Sequence, residues 1–98
     1  MIDRELVERF QNGEQIAFDE LVKRHYAETF SLFMRMAGDE MLADGLCQET
    51  YLRVYRGLTR FRNESEFTTW LYRISVNVAN SHFRKEKLRK IFTSDSEV

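Results

Sequence analysis

Residues 61–84 read FRNESEFTTWLYRISVNVANSHFR, and the reading of this stretch decides the fold. Wound as an α-helix from about Glu66, with about 100° of turn per residue, it sorts its side chains onto two opposed faces. Phe67, Trp70, Leu71, Ile74 and Val78 share one arc, an apolar stripe of the width that packs on a core. Thr69, Arg73, Val76, Asn77, Asn80, Arg84 and Lys87 share the opposite arc. That second face carries amides, a hydroxyl and cations, and an arginine-rich turn, Arg60 to Asn63, stands just upstream. Cations hold phosphates and amides bond base edges, so the pattern suits a nucleic acid.

Working outward, the 3.6-residue spacing and the absence of proline predict an all-α chain. A short first helix is expected from Asp3, read as its N-cap, to Gln11, ending at Asn12-Gly13. A second from about Ile16 to Ala37 places Phe18, Leu21, Val22, Tyr26, Phe30, Phe33 and Met34 mostly along one side. Gly38 ends it and Asp39 caps a third, Glu40 to Leu58. The loop Thr59–Ser65 then leads to the helix quoted above, and a polar tail from about Ile91 is expected to fray. The fold class that follows is a compact bundle of about four helices forming one domain over residues 1–98. Its second, third and fourth helices should pack around Leu21, Phe33, Leu46, Val54, Trp70 and Ile74.

The formal net charge of −1 conceals a division along the chain. Residues 1–50 hold five Lys/Arg against eleven Asp/Glu, a balance of −6. Residues 51–98 hold ten against five, a balance of +5. A basic half suits a polyanion, and an acidic half can meet a basic protein surface. No apolar run approaches the roughly 20 residues of a membrane span, and Asp3, Arg4 and Glu5 exclude a signal-peptide core at the start. The single cysteine, Cys47, cannot form an internal disulfide. Cytoplasm is therefore the expected compartment, with no membrane contact.

An enzyme is not expected. His25, His82 and Cys47 fall on three different helices without metal-ligand spacing or a nucleophile motif. His25 reads as a surface or boundary residue, and Cys47, between core positions, as a small buried hydrophobe. Glu64 with Glu66 has no accompanying acidic cleft. No cofactor or metal is implied. The third helix is more informative. Leu42, Ala43, Leu46, Cys47, Thr50, Tyr51, Val54 and Leu58 cover about half its circumference, leaving Gly45, Gln48, Glu49, Leu52 and Arg56 outward. An outward Leu52 among polar groups is a candidate anchor for a protein interface.

The run GDEMLADGLCQETYLRVYRGLTRF, followed by RNESEFTTWLYRISVNVANSHFRK, resembles the second conserved region of bacterial sigma factors, most closely the extracytoplasmic-function group. The likeness covers roughly Ala17 to Lys90. It rests on an LxQE-type element at Leu46–Glu49 and an F-x-T-W-L-Y-R-I element at Phe67–Ile74. The resemblance implies a transcription initiation domain whose third helix docks on the clamp coiled coil of core RNA polymerase through Gln48, Glu49 and Leu52, with Asp44 and Arg53 beside them. It implies that the next loop and helix recognise and melt the promoter minus-ten element, holding its non-template strand with one base flipped into a loop pocket. Carried over, that assigns Arg60, Arg62, Asn63, Glu64, Ser65 and Phe67 at the loop, and Trp70, Arg73, Asn77, Asn80, Ser81, Arg84 and Lys85 on the helix. Members of the group are often held by an anti-sigma factor, so such a partner is among those implied.

Three features depart from the family pattern. Gly45 stands where Asp is usual, removing a carboxylate from the docking face; Ser81 stands where Asp or Asn is usual, so base preference is not inherited. The sequence also ends at Val98, before the family's helix-turn-helix for the minus-thirty-five element, as expected of an excised domain or a stand-alone variant. Two rival readings remain: a helical protein-interaction module whose basic face binds an acidic protein, and a helix-turn-helix that reads duplex DNA. The amide-rich loop and its aromatic edge suit a melted strand better than either.

Overall fold

A computed structural model describes residues 1–96, which form four helices: α1 (Asp3–Gln11), α2 (Gln15–Ala37), α3 (Glu40–Leu58) and α4 (Phe67–Ser96). The tightest reversal lies between α2 and α3. Gly38 takes φ 67° and donates its N–H to the Met34 carbonyl at 2.9 Å, ending α2. A side chain at that φ would be strained, which is why glycine serves there. Asp39 then caps α3, its carboxylate accepting from the N–H groups of Met41 (2.9 Å) and Leu42 (3.4 Å). Two residues thus turn the chain through an antiparallel helical hairpin.

Packing follows from the apolar faces. α1 and α3 each lie against α2, and α4 lies mainly against α3. One core cluster joins all four helices through Leu6, Val7, Phe10, Leu21, Val54, Leu58, Phe67 and Leu71. A second joins α2, α3 and α4 through Phe33, Ala43, Leu46, Cys47, Val78 and Ala79. Tyr26 and Ile74, both half-buried, pack against the two clusters and make them continuous. Cys47 is fully buried, as its register predicts. Burial pushes its thiol up from an ordinary 9.0 to about 11.

Four sequence expectations change. Asp3 is not the cap of α1, because Ile2 occupies that position and offers no side-chain bond. The Asp3 carboxylate instead accepts from Arg24 Nη1 (3.0 Å) and pairs with His25 Nε2 (2.8 Å), joining α1 to α2. His25 is buried rather than superficial, since Asp3 satisfies its polar edge and Phe67 covers its ring at 5.4 Å. Trp70 and Ile74 are half-buried members of the bundle, not fully enclosed ones. Finally, α4 extends through Ser96, past Ile91 where the tail was expected to begin; no glycine or proline interrupts it. The tail's residues 97 and 98 lie outside the described residues.

Candidate nucleic-acid interface

The loop between α3 and α4 is built back onto the start of α4. Gly57 makes this possible: a Cβ there would stand 3.2 Å from Trp70 Cζ2 and 3.5 Å from Cη2. The indole can therefore lie against the last turn of α3, and Phe61 stacks on it with ring centres 4.5 Å apart and 23° between planes. Around this aromatic pair, Arg60, Arg62, Glu64, Ser65 and Arg73 rim an open cavity of about 350 Å³. Its lining brings aromatic surface of Phe61 and Trp70 together with three guanidinium groups for phosphate, and a carboxylate and hydroxyl for base edges.

Immediately beyond, Asn63 adopts φ 57°, a left-handed conformation that asparagine tolerates better than most residues. Its backbone turn brings Asn63, Glu64, Ser65 and Glu66 around a second cavity of about 190 Å³, closed on one side by Arg4 of α1. Phe67 lies beneath this loop and is only 3% exposed. It supports the loop's exit and lines this second cavity with what little surface it exposes. Its burial is against His25 and Trp70.

From the first cavity the polar face of α4 runs outward. Arg73, Asn77, Asn80, Arg84 and Lys85 are exposed. Ser81 is half-buried, with Arg84 Nη2 reaching its Oγ at 3.5 Å. Arg73, Asn77, Asn80 and Arg84 form one track along the helix, as the helical projection predicts, with Lys85 about 100° further round from Arg84. Sequence reasoning missed Gly57, Gln11 and Arg4. A glycine near a helix end was visible, but its closeness to Trp70 depends on a loop whose path no periodicity encodes.

The expected protein-docking residues lie apart, on α3. Gln48 is exposed and Leu52 is 44% exposed. Met41 and Tyr55 are also exposed on this helix. Glu49 and Arg53 are half-buried and pair with each other at 3.1 Å. Asp44 is already engaged: it accepts from the Tyr26 hydroxyl and from Gln48 Nε2 at 2.8 Å. The bond to Asp44 is the main reason the Tyr26 hydroxyl holds its proton well above the usual phenol range. Asp44 thus orients Gln48 instead of standing free. Beside it, nothing lies within 4 Å of where a Cβ on Gly45 would point.

Among the described residues, no group of three or more His, Cys, Asp or Glu is placed to hold a metal ion, and no helix is long and apolar enough to cross a membrane. The family model described as sigma-70 region 2 matches residues 21–89. The chain is 42% identical over 80 residues to the RNA polymerase sigma-H factor of Pseudomonas aeruginosa, covering 82% of this chain and 42% of that protein. It is 43% identical over 82 residues to the ECF RNA polymerase sigma-E factor of Escherichia coli (strain K12), covering 84% and 42%. The corresponding Haemophilus influenzae factor is 37% identical over 101 residues, covering 99% and 53%. The chain thus spans about half the length of these curated relatives, or less. An NMR structure of the complex formed by an engineered region 2 of sigmaE with GTAAAA matches with TM-score 0.80 at 38% identity, covering 91% of this chain and 93% of that one.

Proposed function

Because this chain belongs to the sigma-70 region 2 family, we propose that it holds a melted minus-ten promoter strand with α4 and its preceding loop, and core RNA polymerase with α3. The observation that carries the reading is the cavity where Phe61 and Trp70 stack among Arg60, Arg62 and Arg73. A duplex buries its base faces, so aromatic surface beside phosphate-binding cations suits an unpaired base. The solved neighbour, an engineered region 2 of sigmaE in complex with GTAAAA, supports the same assignment.

The division of labour follows from chemistry. Arg73, Arg84 and Lys85 neutralise phosphates, and release of condensed counterions supplies much of the affinity. Extracting one base costs a few kcal/mol, which the Phe61–Trp70 wall and the polar groups of Asn63, Glu64 and Ser65 offset by stacking and by bonding the exposed edge. Asn77, Asn80 and Ser81 continue the contact along α4. Melting is then capture: a strand held single cannot re-pair. No covalent step is needed, so the function is that of an initiation factor and not of an enzyme, exerted in the cytoplasm where polymerase and promoter meet.

On the other face, Leu52 supplies an apolar anchor for the polymerase clamp coiled coil, flanked by Gln48 and the Glu49–Arg53 pair. An anti-sigma factor, as a competing partner, belongs to the same proposal. The test is fluorescence anisotropy of the 98-residue chain with a labelled GTAAAA strand, its duplex and a scrambled strand. The expected result is tightest binding to the GTAAAA strand. Equal or tighter binding to the duplex would refute strand capture and favour a helix-turn-helix type of reading.

A further inference from the structure

The base-capture loop is held from behind by α1, a helix that the family match at residues 21–89 does not include. We infer that Gln11 is a positioning residue for base capture: it fixes the loop's shape without itself needing to touch the strand. The inference rests on the reading of that loop given above.

Gln11 is half-buried at the last residue of α1. Its amide nitrogen donates to the Leu58 carbonyl at 3.0 Å and to the Phe61 carbonyl at 2.7 Å. The orientation of the amide is determined by its partners, since only the NH₂ end can face two carbonyl oxygens. Both acceptors matter. Leu58 is the last residue of α3, and its carbonyl also accepts from the Phe61 N–H at 3.2 Å, so Gln11 bonds the turn by which the loop leaves the helix. Phe61 supplies the ring that stacks on Trp70. One side chain therefore sets where the loop leaves α3 and where the aromatic wall stands.

α1 is itself immobilised. Leu6, Val7 and Phe10 are buried in the core. At its other end Asp3 is bonded to Arg24 and His25, and the His25 ring lies against Phe67 at the loop's exit. The helix consequently grips the loop at both ends, through Gln11 at its entry and through the Asp3–His25–Phe67 contact at its exit. A loop that visits its binding shape only part of the time binds more weakly in proportion to that fraction. Removing the Gln11 bonds should lower the fraction, while the cations that attract any strand stay where they are.

Two variants make the test. Gln11→Glu keeps the size but turns an acceptor oxygen toward both carbonyls, and Gln11→Met keeps the length without hydrogen bonds. Each is titrated against GTAAAA and against strands with one base replaced, across a salt series, with helicity followed by circular dichroism. Both should remain helical and lose about tenfold of the preference at the most selective position, with the slope of log affinity against log salt unchanged. Weakening of all strands alike, with preference intact, would show a merely structural role and overturn the inference. A wild-type chain without preference at any position would overturn the base-capture reading and this inference with it. In the wild-type chain, the amides of Arg60 and Phe61, bonded to the Gly57 and Leu58 carbonyls, should exchange slowly with solvent. Unprotected rates there overturn the inference whatever the variants do.

Discussion

Gly45 offers a perturbation that separates helix stability from docking chemistry. It lies inside α3, exposed, with no atom within 4 Å of a Cβ position. Gly45→Ala therefore meets no steric opposition and gains only helix propensity, about 1 kcal/mol. For a domain of this size that raises the melting temperature by roughly 4–8 °C. Gly45→Asp gains less, about 0.3 kcal/mol, because aspartate is a poor helix former. Its carboxylate also stands one turn from Glu49, a like-charge neighbour costing a few tenths of a kcal/mol. The aspartate variant should thus melt within about 2 °C of wild type. Polymerase binding should rank differently. If the docking face uses a carboxylate at this position, Gly45→Asp strengthens binding to core polymerase and Gly45→Ala does not. Thermal denaturation at 222 nm and a polymerase pull-down with purified core enzyme read the two effects separately. Equal gains in polymerase binding from both variants would mean that helix stiffening, not the carboxylate, is responsible. A lower melting temperature for the alanine variant would refute the environment assigned to Gly45.

Leu52→Ala should weaken polymerase binding severalfold while leaving strand affinity and helicity intact, since Leu52 is exposed on α3 and away from the loop; equal loss of both activities in parallel titrations would refute the separation of faces. Trp70→Ala should cost about 2 kcal/mol in urea denaturation, below the 3–5 kcal/mol of a fully enclosed aromatic, because the indole is half-buried; it should also abolish preference at the captured base. Charge removal at Arg84 or Lys85 should reduce the salt slope by about one unit per lost phosphate contact, whereas Asn80→Ala should shift base preference with little change in slope; single-position strand panels across salt decide between them. Unfolding free energy should fall as pH rises above about 9. Unfolded Cys47 releases its proton near the ordinary 9.0 while the folded thiol holds it to about 11, so the unfolded state binds fewer protons in that window; a flat profile from pH 9 to 11 would contradict that assignment.

What the sequence made legible was whatever a contiguous pattern encodes. The Gly38–Asp39 reversal is written in two adjacent residues, and the inward register of α3 in apolar spacing that needs no partner to be seen. The polar track from Arg73 to Arg84 was equally plain, because exposed groups on one arc of a helix stay on that arc however the bundle packs. The errors came from polar residues whose partners are distant. Asp3 fits a local cap pattern, yet Arg24 and His25 lie 21 and 22 positions away and claim its carboxylate. The same bond buries His25, which periodicity alone could not distinguish from a boundary residue. Gln11 contacts residues 47 and 50 positions away, so nothing in its neighbourhood marks it.

That asymmetry bears on how the site works. The groups proposed to attract a strand are local and visible: cations on α4 and on the loop. The groups that shape the cavity are non-local: Gly57 admits Trp70, Phe61 covers it, and Gln11 fixes Phe61. Attraction to phosphate is tolerant of position, because a Coulomb field falls off slowly near a surface. Holding a base is not, because stacking and edge bonding are lost within an ångström or so of displacement. A chain can therefore carry its affinity on an exposed helix and still depend for selectivity on the core that fixes the loop behind it. In this protein that core includes α1, so selectivity and the stability of the α1 contact should rise and fall together, while salt-dependent affinity stays with α4.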